Sequence, residues 1–168
     1  MADLTAVVDE TVRTERGRIV GGLLRLCGSL DAAEEAFQEA ALAAVQAWRE
    51  EVPSNPGAWL MTAAKNNAKD ARRRRAVADA KAPLLVEDEM DSRDAIDAVS
   101  DDYLRLIFTC CHPEMSTDNQ IALTLKVVCG FSTEEIARTF VCSEATVSQR
   151  ILRARQTIEE KKVGYAIP

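Results

Sequence analysis

One segment near the end of the chain restricts the possible folds more than any other part of the sequence. Residues 131–158 read FSTEEIARTFVCSEATVSQRILRARQTI. Ser132 and Glu135 have the spacing of a capping box, which predicts a helix that starts one residue after Ser132 and runs to about Phe140. After a turn of two residues, Ser143 is placed to cap a second helix. Two short helices joined in this way are typical of a helix-turn-helix.

The second of these helices has one apolar side and one polar side. Ile136 and Ala137 on the first helix can meet Val147 and Ile151 on the second, which closes a small core between them. The apolar stripe of the second helix consists of Val147, Ile151, Ala154 and Ile158. Its polar side carries Ser143, Glu144, Thr146, Ser148, Gln149, Arg150 and Arg153.

The polar side has the chemistry that binding in the major groove of DNA requires. Gln and Arg can bond base edges, whereas Ser, Thr and Arg can hold phosphates. A polar side that is merely solvated is the ordinary alternative for an amphipathic helix. Two capped helices, a short turn and an Arg-bearing second helix together favour DNA binding over that alternative.

The composition predicts an all-α fold, but the net charge at first argues against a nucleic-acid partner. Hydrophobic residues make up 47% of the 168 residues and aromatic residues only 5%, and Gly and Pro are scarce, which favours helices. The formal net charge is −6. Charge is unevenly distributed, however, because residues 51–76 carry six basic and two acidic side chains, while residues 77–102 carry two basic and nine acidic ones. A basic island of this kind is compatible with DNA binding by an acidic protein.

The cysteines and the hydropathy predict a reduced, cytoplasmic protein outside the membrane. The five cysteines form an odd, irregular set without a CxxC pair, and no apolar run approaches the length of a membrane span. Cys110, Cys111 and His112 invite a metal site, but adjacent cysteines do not have the usual ligand spacing. With one histidine and no phosphate-binding loop, we expect no metal, no cofactor and no catalytic activity.

The acidic run divides the chain into two helical units. Residues 77–98 combine weak periodicity, a proline and the run VEDEMDSRD, which is typical of a flexible linker. We therefore expect two small helical domains, the first over residues 1–76 and the second over residues 99–168.

Two helices of the first domain have distinctive patterns. DAAEEAFQEAALAAVQAW, residues 31–48, begins with Asp31 and Glu34 at capping-box spacing, and its predicted buried face consists of Phe37, Ala41, Val45 and Trp48. NPGAWLMTAAKNNAKDARRRR, residues 55–75, starts apolar and ends strongly basic. Cations for phosphates and polar or flat groups for unstacked bases are what a melted DNA strand requires.

These three segments, in this order, resemble bacterial RNA polymerase sigma factors of the extracytoplasmic-function type over about residues 10–163. Residues 31–48 resemble the helix that grips the clamp helices of the largest core polymerase subunit. The resemblance implies core polymerase-binding residues Asp31, Glu35, Gln38, Glu39 and Leu42. Residues 55–75 are similar to the segment that captures and opens the −10 promoter element. The residues implied there are Trp59, Lys65, Asn66, Asn67, Lys69, Arg72 and Arg73. Core packing of Trp59 remains an equal alternative.

The helix-turn-helix resembles the element that reads the −35 promoter element, which implies the polar-side residues from Ser143 to Arg153 as its DNA contacts. Arg155 is expected to pair with Glu134 or Glu135 instead of touching DNA. The resemblance implies both large core subunits and promoter DNA as partners, and an anti-sigma protein as a regulator. YLRLIFTCCHP, residues 103–113, resembles a subgroup that usually continues into a C-terminal helical-repeat extension.

A free-standing helix-turn-helix regulator or adaptor, acting without core polymerase, is the alternative. It would share the last helices, but it would not need the motifs at residues 31–48 and 55–75. The presence of both motifs favours the sigma factor.

Overall fold

The computed structural model describes residues 4–79 and 94–163, with side chains over residues 4–78 and 101–163. Every regular element in these residues is an α-helix, so the all-α prediction is confirmed. The helices are α1 (Leu4–Cys27), α2 (Leu30–Ala47), α3 (Pro56–Asp79), α4 (Asp94–Cys110), α5 (Thr117–Val127), α6 (Thr133–Thr139) and α7 (Glu144–Glu160). No helix among the described residues is both long and apolar enough to cross a membrane.

Helices α1, α2 and α3 pack around an apolar core. Its largest fully buried side chains are Ile19, Leu23, Leu24, Phe37, Trp48 and Leu60. Gly28 ends α1 as predicted, because its φ of 67° lies in the left-handed region that favours glycine. Asn55 caps α3 through an Oδ1 atom that accepts the N–H of Ala58 at 3.0 Å, and Pro56 occupies the first helical position, where its missing N–H is tolerated.

Two sequence-based expectations for α2 were wrong. Its N-cap is Ser29, whose side chain accepts the N–H of Ala32, and Asp31 already lies inside the helix. Its buried stripe consists of Ala33, Ala36, Phe37, Ala40, Ala44 and Trp48. Val45, predicted to be buried, is 43% exposed, because α1 and α3 pack against the side of α2 that carries these alanines.

Helices α4 to α7 contain the predicted helix-turn-helix. The capping box is confirmed, since Ser132 Oγ accepts the N–H of Glu135 at 3.1 Å and the Glu135 carboxylate accepts the N–H of Ser132 at 2.7 Å. Val141 in the turn has a φ of 50°. Ser143 caps α7 by accepting the N–H of Thr146 at 3.1 Å. The apolar residues predicted to close this unit are all buried: Ile136, Ala137, Val147, Ile151, Ala154 and Ile158.

The predicted linker, residues 77–98, overlaps a helix at each end. Helix α3 continues to Asp79, and α4 begins at Asp94. Residues 80–93 lie outside the described residues, so the expected flexibility of this segment stays a prediction.

The two groups of helices are packed against each other. Besides its contacts with α2 and α3, α1 packs along α4 and touches α5. An added Cβ atom would lie 2.7 Å from the Tyr103 ring at Gly17 and 2.8 Å from the Asp102 carbonyl oxygen at Gly21. Because glycine has no Cβ atom, these two positions let α4 approach the backbone of α1 more closely than a residue with a side chain would allow.

Candidate protein and nucleic-acid interfaces

The side chains predicted to bind core polymerase lie together on the outer side of α2. Glu35, Gln38, Glu39 and Leu42 are all exposed, and their spacing of three, four and seven residues places them on one face. Leu42 is 68% exposed. Val45 adds a second apolar side chain one turn further on. Sequence reasoning missed it because a valine at that spacing was assigned to the core.

The basic residues predicted to contact the −10 element lie along the exposed side of α3. Lys65, Asn66, Lys69, Arg72 and Arg73 are exposed. Asn67 is half-buried instead, and its Nδ2 atom donates to the Ala36 carbonyl oxygen of α2 at 3.2 Å. The amide of Asn67 therefore joins α3 to α2, whereas the amide of Asn66 faces solvent.

Trp59 is half-buried at the start of α3. Its ring lies edge-on to Trp48 at the end of α2, with 5.5 Å between ring centroids and an interplanar angle of 72°. Edge-to-face pairs of this kind stabilise the packing of two elements. The structure thus gives Trp59 the packing role that the sequence left as an alternative, and its contact with a DNA strand stays a prediction.

A groove of about 390 Å³ runs between the outer sides of α2 and α3. Glu35 and Glu39 form its acidic wall, and Arg72, Arg74 and Arg75 form its basic wall. Two residues predicted to dock on polymerase, Glu35 and Glu39, therefore line the same groove as Asn67 and Arg72, two residues predicted to bind DNA. The acidic wall suits a basic protein surface, whereas the basic wall suits phosphates.

Helix α7 presents its predicted reading face to solvent. Glu144, Thr146, Ser148, Gln149 and Arg153 are exposed. Thr146 is engaged in the cap, since its hydroxyl lies 2.9 Å from Ser143 Oγ. Arg150 is half-buried, and its guanidinium lies 2.8 Å from the Asp118 carboxylate of α5. Gln149 and Arg153 are therefore more accessible to solvent than Arg150.

The expected partners of Arg155 were wrong. Glu134 binds Arg138 within α6, and Glu135 binds Arg13 of α1 at 2.9 Å. Arg155 of α7 instead binds both Asp31 and Glu34 of α2. Those partners could not be read from the sequence because they lie more than 120 residues away.

Arg155, Glu34 and Arg16 form a charged cluster between the two groups of helices. Glu34 is only 4% exposed, and it accepts hydrogen bonds from Arg155 and, at 2.5 Å, from Arg16 of α1. Burial opposes the charge of Arg155, but Glu34 and Asp31 together raise its pKa. Burial lowers the pKa of Lys126 nearby, and Arg16 lowers it further. One buried carboxylate thus binds guanidinium groups from both halves of the chain.

The adjacent cysteines at the end of α4, Cys110 inside the helix and Cys111 just after it, have different environments. Cys110 is buried, and burial raises the pKa of its thiol to about 12. Cys111 is exposed, with its sulfur 3.6 Å from the Thr124 hydroxyl. The His112 ring accepts the N–H of Glu114 at 3.3 Å through Nδ1. These three side chains do not converge on a common point, and no group of metal-ligating residues occurs in the described parts of the chain.

One known protein family matches the first group of helices, and a second matches the group that contains the helix-turn-helix. The family described as Sigma-70 region 2 matches residues 11–77, which cover most of α1, all of α2 and most of α3. The family described as Sigma-70, region 4 matches residues 105–158, which cover the end of α4, all of α5 and α6, and most of α7. The combination defines a helical transcription protein with a basic helix in one half and a helix-turn-helix in the other. The chain belongs to the sigma-70 family of sigma factors, in the extracytoplasmic-function type.

A similar protein is the uncharacterized protein of Rhizobium meliloti (strain 1021) that is 37% identical over 172 residues. The match covers 98% of this chain and 41% of that protein. The chain thus spans about two fifths of the length of its curated relative.

Proposed function

We propose that this chain binds core RNA polymerase and directs promoter-specific transcription initiation by recognising −10 and −35 elements. The observation that carries the proposal is the arrangement of Glu35, Gln38, Glu39 and Leu42 on one exposed face of α2, within the part of the chain that matches Sigma-70 region 2. An acidic and apolar face of this kind fits a partner surface that is basic at its rim and apolar at its centre.

In the proposed complex, α3 holds the melted −10 strand. Lys65, Lys69 and Arg73 supply cations for the phosphates, and Asn66 supplies a donor and an acceptor for a base edge. The proposal is supported by the groove between α2 and α3, in which Arg72, Arg74 and Arg75 of the same helix lie opposite Glu35 and Glu39 of the docking face. DNA opening would then take place next to the polymerase and not at a distance from it.

Helix α7 is proposed to enter the major groove at the −35 element. Gln149 and Arg153 are exposed on its outer side, and the exposed Ser148 directly precedes Gln149. Gln pairs in bidentate fashion with adenine and Arg with guanine, so this face can read duplex sequence directly. Arg150 would have to leave Asp118 before it could contact a base.

The finer partner assignments also belong to this proposal. The largest core subunit is the proposed partner of α2. The second-largest is the proposed partner of α4, where Leu104 and Phe108 are exposed one turn apart, at 42% and 43%. An anti-sigma protein or a C-terminal extension is proposed as a regulator. The chain is proposed to act in the cytoplasm and to leave the catalytic chemistry to the polymerase.

The decisive experiment measures binding of the chain to bacterial core RNA polymerase. A Glu35→Ala/Gln38→Ala variant should lose about 2 kcal/mol or more of binding free energy, because both side chains lie in the docking face. A Glu10→Ala/Gln156→Ala variant removes the same residue types from exposed positions on α1 and α7, and it should bind like the parent. Binding to duplex DNA without binding to core would instead indicate a free-standing regulator.

A further inference from the structure

Two arginines on the same side of α7, Arg150 and Arg153, have different surroundings. Arg153 is exposed, and no ion pair joins it to another residue within 4–78 or 101–163. Arg150 has a side chain that is 28% exposed, and its guanidinium lies 2.8 Å from the Asp118 carboxylate of α5. A residue outside α7 therefore acts on one of the two arginines and leaves the other accessible.

The position of Arg150 on α7 gives its side chain two directions. Residues three apart on an α-helix are separated by about 60° around the axis. Arg150 is thus about 60° from the buried Val147 and about 60° from the exposed Arg153, between the apolar stripe and the polar side. Its long side chain can extend outward towards DNA or sideways to α5. In the structure it extends sideways, to Asp118.

The contact with Arg150 goes beyond what Asp118 does for its own helix. Asp118 lies in the first turn of α5, after the N-cap Ser116, and a negative charge there favours the helix by itself. The Asp118 side chain is 64% exposed, so it has no buried donor to satisfy. Because α5 packs against α7, however, this first turn lies at the edge of the polar side of α7. The same carboxylate therefore stabilises α5 and holds an arginine of the reading helix.

The strengths of the two competing contacts decide what Asp118 does to DNA binding. An exposed ion pair shifts an equilibrium constant by up to about fivefold. A bidentate contact of arginine with guanine shifts it by about five- to 150-fold. Arg150 would thus leave Asp118 for a guanine, but the loss of the ion pair would subtract from the gain. At other bases, where the new contact is weaker than the ion pair, Arg150 would stay on Asp118.

We propose that Asp118 determines specificity at the −35 element by holding Arg150 back, which weakens the preference for guanine at the base pair that faces Arg150. This inference rests on the proposed function. It adds a residue of α5 to those that decide which promoters are bound, and it leaves Gln149 and Arg153 as the stronger readers. Such a competing contact inside the protein disfavours one class of sequence without touching a base.

The test measures binding of holoenzyme to a set of promoters that differ by single base pairs in the −35 element. Asp118→Asn keeps the shape of the side chain and removes its charge. Asp118→Asn/Arg150→Ala shows whether the effect passes through the arginine. Glu114→Gln is the matched control, because Glu114 is also exposed, lies four residues earlier and has an ion pair of its own, 3.4 Å from Lys161. Circular dichroism reports the folding of each variant.

Asp118→Asn should bind about two- to fivefold more tightly where a guanine faces Arg150, with a smaller gain at other bases, so the guanine preference at that base pair increases. Asp118→Glu keeps the charge and should retain the parent's preference. Glu114→Gln and the double variant should show no increase.

Two results would overturn the role of Asp118 and leave the proposed function in place. One is a gain of equal size at every base pair, which would indicate a general effect of charge. The other is a gain that survives in the double variant, which would mean that it does not pass through Arg150. If the parent failed to bind core polymerase, the proposed function would be lost, and this inference with it.

Discussion

At the residue scale, Glu135 links local and long-range structure. Its carboxylate accepts the Ser132 N–H inside the capping box and binds Arg13 of α1. The backbone hydrogen bond from Ser132, followed by the Arg13 hydrogen bond, lowers the pKa of Glu135 to about 2. The charged form is thus favoured in the folded protein.

This shift predicts a dependence of stability on pH. Because the pKa of Glu135 in the folded protein lies below its ordinary value of 4.5, the charged carboxylate contributes fully above pH 4.5, and the contribution is lost as the pH falls towards 2. In urea unfolding between pH 5 and pH 2.5, Glu135→Gln should lose less stability than the parent. Arg13→Ala keeps the cap and should fall between them. If the free energy of unfolding fell by the same amount with pH in all three proteins, Glu135 would not be the source of this pH dependence.

Gln149 provides a test of base reading at a single position. Gln149→Ala should cost about 1–3 kcal/mol of binding at one −35 base pair and relax the preference there. Binding of holoenzyme to a set of single-base promoter variants measures this. Arg150→Ala should have a comparable effect only if the arginine leaves Asp118 on binding. An unchanged preference would remove Arg150 from the residues that read the element.

At the element scale, the stability of the helix-turn-helix depends on the buried side of α7. Val147 is fully buried, so Val147→Asp would bury a carboxylate without a partner and destabilise this half by about 3–5 kcal/mol. Thermal unfolding followed by circular dichroism should show the loss. Ser148→Asp, on the exposed side of the same helix, should unfold close to the parent. Retained stability in Val147→Asp would mean that α6 and α7 pack differently.

The basic end of α3 is expected to act in promoter opening more than in core binding. Arg73 is exposed and has only a 3.5 Å ion pair with Asp70. Arg73→Ala should weaken strand opening by about 1–2 kcal/mol, because one charged contact to a phosphate is lost. Permanganate reactivity of the −10 thymines measures opening, and a core titration serves as the control. An equal loss in both would place Arg73 at the polymerase surface.

The caps and the apolar stripe of the helix-turn-helix were predictable from sequence because their interactions join residues three or four positions apart. Ser132, Ser143 and Gly28 all act as their local patterns indicated. The buried side of α2 was not predictable in this way. Its alanines give little hydrophobic contrast, and the choice of side depends on how closely α1 and α3 approach. The partners of Arg155 depend on the packing of two distant elements, which no local pattern encodes.

At the scale of the whole molecule, the acidic charge is expected to keep the free chain away from DNA. The net charge is −6, and Arg72, Arg74 and Arg75 of α3 face the acidic wall formed by Glu35 and Glu39. The isolated chain should therefore bind random duplex DNA with a dissociation constant no tighter than about 10⁻⁵ M at physiological salt. A fluorescence anisotropy titration measures it. Tight binding would contradict this role for the acidic residues.

The close packing of α4 on Gly17 and Gly21 of α1 also has a consequence during synthesis of the protein. Gly17 is translated 86 residues before Tyr103, the ring that covers it. At about 5–20 residues per second, a ribosome needs roughly 4–17 seconds to make that stretch. During this interval the nascent first half has no α4 to cover Gly17 and Gly21, so this surface of α1 is exposed to solvent until α4 has been made. The speed of translation therefore sets how long the α1 surface around Gly17 and Gly21 stays uncovered in the nascent protein.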